Sequence, residues 1–213
     1  MNGVRVKICG LCRPEDARVA AEAGADLLGV VFAAGPRRQD AVSARRIWEG
    51  QGAQRAGVFA DADESELLQV AAALGLSVVQ LHGSESPDVC ERIRAAGPWA
   101  VWKAIRVRGA ELSAQVRRYA GVVDAVLVEA FDPRGLGGTG APLPREALER
   151  ARAVWPEGLA LVAAGGLAPE NVAEVVRRFD PTAVDVSSGV EARVGVKDPE
   201  RVRAFVRNAK EVR

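Results

Sequence analysis

The sequence is poor in the residues that build metal centres and disulfide frameworks. Its 213 residues hold one histidine, three cysteines and four lysines. One histidine cannot supply a histidine-rich metal site. The cysteines, Cys9, Cys12 and Cys90, are odd in number and follow no zinc-ligand spacing, which argues against a disulfide scaffold and for a reducing compartment. No apolar run approaches the ~20 residues that span a bilayer. The opening MNGVRVKICG shows neither an apolar core nor a cleavage pattern of a signal peptide. A cytoplasmic chain with no membrane partner is therefore expected. Net charge is also lacking: 29 basic groups face 28 acidic ones. No global field favours nucleic acid, so any anionic ligand must be held by a local site.

What is present is a repeated alternation. Short β-branched runs read as strands at Val4–Cys9, Asp26–Phe32, Gln54–Ala60, Val78–His82, Ala100–Arg106, Ala125–Glu129, Leu159–Ala164 and Ala183–Ser187. Amphipathic stretches between them read as helices, among them Glu15–Ala23, Ser65–Leu74, Pro87–Ala96, Arg145–Trp155, Pro169–Phe179 and Pro199–Lys210. Gly24, Gly75 and the pair Gly97-Pro98 punctuate helix ends. Strict alternation of strand and helix means parallel strands with crossover helices. Eight units of ~27 residues close naturally into a (β/α)₈ TIM barrel. The competing open, doubly wound sheet is disfavoured because no G-x-G-x-x-G follows the first strand. No linker or composition shift divides the chain, so residues 1–213 are expected to form one catalytic domain.

Residues two apart on a strand share a face. Lys7 and Cys9 share one in the first strand, Gln80 and His82 in the fourth, Lys103 and Ile105 in the fifth, Leu127 and Glu129 in the sixth, Asp185 and Ser187 in the eighth. The alternate faces are apolar and suit packing under outer helices, so the polar faces are expected to point inward. Buried charge is costly unless paired, and a barrel interior carrying Lys7, Lys103, Glu129 and Asp185 is a functional signal. Cys9, His82, Glu129 and Ser187 lie at the C-terminal strand ends, the face on which barrel active sites are built. Three glycine clusters, Gly137–Gly140 with Gly138 at its centre, Gly165-Gly166, and Ser187-Ser188-Gly189, follow late strands. Glycine lets backbone N–H groups approach an anion closely, and the loops after strands seven and eight commonly bind phosphate in barrels.

These motifs, taken in order, resemble the phosphoribosylanthranilate isomerase family along nearly the whole chain. Lys7-Ile8-Cys9-Gly10 resembles its first strand, Gly24–Gly29 with Gly35-Pro36-Arg37 its second unit, and Gln80-Leu81-His82-Gly83 its fourth. Lys103-Ala104-Ile105 follows in the fifth and Gly137–Gly140 in the sixth loop. Ala164-Gly165-Gly166-Leu167 with Asn171 resembles the seventh unit. Asp185–Glu191 and Gly195-Val196-Lys197-Asp198 resemble the eighth.

The resemblance implies an Amadori rearrangement of N-(5-phosphoribosyl)anthranilate in tryptophan biosynthesis. The substrate nitrogen is the electron sink, so neither cofactor nor metal is implied. The chemistry needs one acid and one base. By position Cys9 is implied as the base, with Lys7 expected to raise its thiolate fraction. Cys12 and Cys90 are expected to be inert. Arg37 matches the residue that pairs with the anthranilate carboxylate, the alternative being a solvated loop arginine beside Arg38. His82 either lines the pocket or touches substrate. At the acid position the family has aspartate, whereas this chain reads Val128-Glu129-Ala130; Glu129 is the expected acid, with Asp132 and Asp124 as alternatives. The implied partner is a small phosphorylated substrate, and a homodimer is the expected assembly. Related barrel enzymes, such as an indole-glycerol-phosphate synthase or a sugar-phosphate epimerase, fit less well. The former calls for a longer N-terminal extension and the latter for metal ligands. A non-catalytic phosphoribosyl-ligand sensor is the remaining class, separated from an enzyme by turnover.

Overall fold

A computed structural model of the chain describes residues 3–107, 112–130 and 145–212. Eight parallel strands close into a barrel in sequence order. They are β1 (Arg5–Ile8), β2 (Leu27–Val31), β3 (Gln54–Phe59), β4 (Val78–Leu81), β5 (Ala100–Val107), β6 (Ala125–Ala130), β7 (Ala160–Ala163) and β8 (Ala183–Val186). The closing seam pairs β1 with β8, Lys7 opposite Asp185. Around the barrel run α1 (Pro14–Glu22), α2 (Ala41–Ile47), α3 (Glu64–Leu74), α4 (Pro87–Ala95), α5 (Leu112–Tyr119), α6 (Arg145–Arg152), α7 (Val172–Phe179) and α8 (Pro199–Lys210). A 3₁₀ turn, Ser188–Val190, and a two-stranded antiparallel sheet of β9 (Glu191–Arg193) and β10 (Val196–Lys197) lie between β8 and α8.

Local chemistry explains where the helices begin and end. Asp40, Asp63, Ser86 and Asp198 each accept an N–H from the first turn that follows, the usual side-chain cap for orphan helix donors. Pro87 and Pro199 occupy the first turn, where no intrahelical N–H is required. Gly75 ends α3 in the left-handed region at φ 60°, which costs glycine nothing.

Two apolar layers result. Leu27, Ala56, Val78, Trp102, Ala104, Leu127 and Val162 fill the barrel itself. A larger layer between strands and helices holds residues such as Ile8, Leu28, Val79, Leu81, Ile105, Val128 and Phe205. At the lower rim Asp26 and Asp124, each just before a strand, accept the backbone N–H of Val6 and Val101 at 2.7 Å. Asp124 is therefore at the N-terminal end of the barrel, bonded also to Arg94, and cannot serve as an acid at the mouth.

The expected elements are found, with ends displaced by no more than three residues. Cys9, His82 and Ala164 fall just beyond their strands, yet their N–H groups still donate to Val186, Phe59 and Val128 of the neighbouring strands. Helix α7 starts at Val172 rather than Pro169 because the Asn171 side chain accepts the Ala168 N–H at 2.9 Å and holds a turn there. The expectation for Lys103 is wrong. Lys103 pairs in register with Leu81 and Trp102 with Gln80, so Trp102 and Ala104 face the barrel and Lys103 faces the helix layer. Its ammonium donates to the carbonyls of Leu81 and Gly83 at 3.3 and 2.7 Å and to Glu85 at 2.9 Å. These acceptors satisfy a buried charge without any functional use of it.

Candidate active site

The interior polar residues form one connected string across the barrel. Lys7, fully buried, donates from Nζ to Asp185 Oδ1 and to Gln80 Oε1, both at 2.8 Å. Gln80 Nε2 lies 3.0 Å from His82 Nδ1, and His82 Nε2 lies 2.6 Å from Glu129 Oε1. Asp185 on β8, Lys7 on β1, Gln80 and His82 at β4, and Glu129 on β6 are thereby joined. The inward assignments of Lys7, His82, Glu129 and Asp185 made from alternation hold.

Cys9 stands at the top of β1, only 6% exposed. Gly29 on β2 makes room for it: a Cβ there would lie 3.0 Å from Cys9 Sγ and 3.0 Å from Lys7 Cε. Burial pushes the Cys9 thiol up, Lys7 opposes that shift, and the Asp185 charge adds to it. Lys7 thus favours the thiolate as expected, but desolvation of the anion outweighs the cation and the net shift is upward. Burial also disfavours the Lys7 ammonium, but Asp185 and Cys9 outweigh it and its pKa is pushed up to about 12. Cys90, buried on α4, has its thiol raised by burial to about 11, consistent with an inert role.

Arg37 reaches over the same rim. Its Nε and Nη2 donate to the two oxygens of Glu191 at 2.7 and 2.6 Å. The expected fork is present, but one bidentate edge of it grips Glu191; the Nη1–Nη2 edge is not engaged by that residue. Lys197, on β10, donates to the same carboxylate at 3.0 Å and to the Ser187 carbonyl at 3.0 Å. Burial alone would raise the Glu191 carboxyl, yet Arg37 and Lys197 hold it below the usual carboxylate range. Gly10, at φ 67°, fits between Arg37 and the eighth loop: a Cβ there would lie 2.6 Å from Arg37 Cδ and 2.7 Å from Ser187 Oγ.

The glycine loops after β7 and β8 meet above the barrel. Gly165 and Gly166 take φ values of 87° and 61°, open to glycine and strained for other residues. Asn171 Nδ2 donates to the Gly166 carbonyl at 2.8 Å and fixes that loop. A Cβ on Gly189 would lie 1.8 Å from the Leu167 carbonyl oxygen, so the two loops approach as closely as backbones allow. Arg201 Nε from α8 donates to the Gly189 carbonyl at 3.0 Å. Ser187 and Ser188 open this turn, and both are half-buried. Gly138 and the alternative acid Asp132 lie outside the described residues.

Gln80, Glu191 and Lys197 were not recognised as site residues from the sequence, although all three lie in motifs that carry the resemblance. Gln80 reads as a neutral filler until its two partners are seen. Glu191 and Lys197 follow the last barrel strand, in a small sheet that the strand–helix alternation does not announce.

A closed parallel barrel whose C-terminal mouth gathers a thiol, a carboxyl, glycine loops and cations is the architecture of an enzyme of the (β/α)₈ class. The N-(5′-phosphoribosyl)anthranilate (PRA) isomerase family matches residues 6–208. The chain belongs to that family and is an isomerase of tryptophan biosynthesis. It is 43% identical over 211 residues to an N-(5′-phosphoribosyl)anthranilate isomerase of Trichlorobacter lovleyi, covering 98% of each chain. A solved structure of generated monomers of the dimeric phosphoribosylanthranilate isomerase of Thermotoga maritima superposes with a TM-score of 0.85 at 35% identity, covering 97% of this chain and 98% of that one. Another solved relative, in complex with reduced 1-(o-carboxyphenylamino)-1-deoxyribulose 5-phosphate, superposes with a TM-score of 0.79 at 34% identity, with 97% and 98% covered.

Proposed function

We propose that this isomerase converts N-(5-phosphoribosyl)anthranilate to 1-(2-carboxyphenylamino)-1-deoxyribulose 5-phosphate, with Cys9 as general base and Glu129 as general acid. The observation that carries the roles is the placement of these two groups at the C-terminal ends of β1 and β6, non-adjacent strands of one mouth. A substrate lying across it presents its ring oxygen to one and its C2′ hydrogen to the other. Glu129 gives a proton to the ribose ring oxygen as the C1′–O bond breaks, and the anthranilate nitrogen supplies the electrons for the iminium. The Cys9 thiolate takes the C2′ proton, and the C–H electron pair moves into the iminium to give an enolamine. Tautomerisation to the ketone completes the reaction. The proton given by Glu129 is balanced by the one taken at Cys9. The test is a fluorescence assay for loss of phosphoribosylanthranilate by the purified protein; absence of turnover would leave a ligand-binding barrel without the activity.

The phosphate is assigned to the loops of Gly165-Gly166 and Ser188-Gly189, where backbone N–H groups can surround an anion. Gly189→Ala is expected to force these loops apart, because the new methyl meets the Leu167 carbonyl oxygen rather than a flexible side chain. KM for the phosphorylated substrate should rise, with a stability loss of about 1–3 kcal/mol, the usual range for overpacking. An unchanged KM and melting temperature would place the phosphate elsewhere.

The anthranilate carboxylate is assigned to the Nη1–Nη2 edge of Arg37. Glu191 then serves to orient the guanidinium, presenting the second edge to substrate. Arg37→Ala is expected to cost about 1.5–3 kcal/mol of substrate binding, the range for a hydrogen bond to a charged group, seen as a rise in KM. Arg37→Lys should recover only part of it, because an ammonium cannot hold Glu191 and a substrate carboxylate in two planar forks. Equal KM for all three proteins would make Arg37 a partner of Glu191 only.

A further inference from the structure

The chain's single histidine sits between an amide and a carboxylate, and the donor and acceptor roles along the string are determined one after another. Lysine has only protons to give, so the Gln80 atom facing Lys7 Nζ at 2.8 Å must be its carbonyl oxygen. The other end of the amide is then the NH₂ group, 3.0 Å from His82 Nδ1. An NH₂ group donates, so Nδ1 must be the unprotonated, accepting nitrogen. A neutral imidazole with a bare Nδ1 carries its proton on Nε2, which donates to Glu129 Oε1 at 2.6 Å. A proton on Nδ1 would point at the protons of Gln80.

We propose that Gln80 is a positioning residue for the reaction: held by Lys7, it locks His82 as the neutral Nε2–H tautomer and so confines the transferable proton to Glu129. The inference rests on Glu129 being the acid. If the proton were free to reside on His82, the carboxyl would be an anion when the ring oxygen needs it. With Nδ1 blocked, a proton entering the pair goes to the carboxyl. Oε1 is occupied by the His82 N–H, so the proton takes Oε2, the oxygen not engaged by His82. Among the described residues, the charged groups joined to His82 by hydrogen bonds are Glu129 directly, from β6, and Lys7 through Gln80, from β1; Arg106, in register with Glu129, shares its side of the sheet from β5, and Asp185, on β8, lies one bond further along and balances Lys7. The buried amide thus relays a constraint from one ion pair to the acid without itself carrying charge.

The single histidine makes this measurable without assignment by mutagenesis. Protein labelled with ¹⁵N in its imidazole should show, at about pH 7, one protonated Nε2 and one bare Nδ1 in long-range ¹H–¹⁵N spectra, although free imidazole titrates in that region. Gln80→Glu is close to isosteric and keeps an acceptor for Lys7, but it turns the group facing Nδ1 from a donor into an acceptor. Nδ1 should then gain a proton, with kcat falling about 10²-fold and KM little changed, as expected when a reacting group is misplaced rather than removed. Gln80→Met, which removes the amide and introduces no charge, should also allow Nδ1 to be protonated and should lower kcat. A wild-type spectrum with a protonated Nδ1 overturns the proposal, whether or not either variant folds. So does a Gln80→Glu protein that keeps a bare Nδ1. Failure of the acid assignment reads differently: a Glu129→Gln protein with normal turnover and an unaltered wild-type tautomer.

Discussion

Replacing Cys9 by serine is expected to lower kcat by about 10²–10⁴, the share of a well-placed acid or base, which corresponds to roughly 3–5 kcal/mol of barrier. Serine fills nearly the same volume beside Gly29, so the melting temperature should change little and the loss is chemical. A hydroxyl has no accessible anion at neutral pH, whereas the thiol does even when burial and Asp185 hold its pKa up. The same shift fixes the sign of the pH dependence. A thiol raised above its ordinary value is mostly protonated near neutrality, and the basic form grows as pH rises. The fraction of enzyme with a basic Cys9 should therefore climb on the alkaline side, by about tenfold per pH unit while the thiol remains the dominant form, and kcat/KM follows it only as far as the general acid stays protonated. The thiol's contribution to the profile should vanish in the serine variant. Turnover near the wild-type level in Cys9→Ser, or pH profiles of the same shape in the two proteins, removes Cys9 from the chemistry.

Glu129→Gln is expected to be as damaging to kcat while leaving the affinity for a product analogue nearly intact. The amide can still accept the His82 Nε2–H through its oxygen, so the string from Lys7 onward stays assembled. What disappears is the proton for the ring oxygen. Glu129→Asp should retain substantial activity. It keeps a carboxyl on β6, although the shorter stem lengthens the 2.6 Å contact to His82. Normal turnover in Glu129→Gln combined with loss in Asp132→Asn transfers the acid to Asp132.

Which parts of this site could be read in advance follows from how side chains alternate. At β1, β4, β6 and β8 the polar parity of the strand coincides with the inner face, and Lys7, His82, Glu129 and Asp185 were placed correctly by that rule. At β5 the rule misleads. Lys103 is polar and Trp102 apolar, yet the register puts the indole inside and the lysine among the helices. Composition does not show that Leu81 O, Gly83 O and Glu85 wait there to receive an ammonium. The glycine loops were legible because loop position in a barrel carries meaning. Their mutual contact, Gly189 against Leu167, was not, since it depends on two segments meeting in space. The pKa of Cys9 escaped for a related reason: Lys7 is adjacent along the chain, but its effect is set against burial and against Asp185, which lies 178 residues away from Lys7.

That last separation has a consequence for how the protein reaches its active form. The Lys7–Asp185 bond straddles the seam where the final strand meets the first, so it forms only when the ring is complete. Until β8 docks, Lys7 has no carboxylate opposite and keeps only Gln80 as a partner inside the ring. Contacts of such long sequence separation must wait for the loop-closure entropy to be overcome. The charge balance of the barrel interior is thus completed only by closure of the ring. During refolding, catalytic competence should appear together with the last strand rather than accumulate as the preceding units assemble.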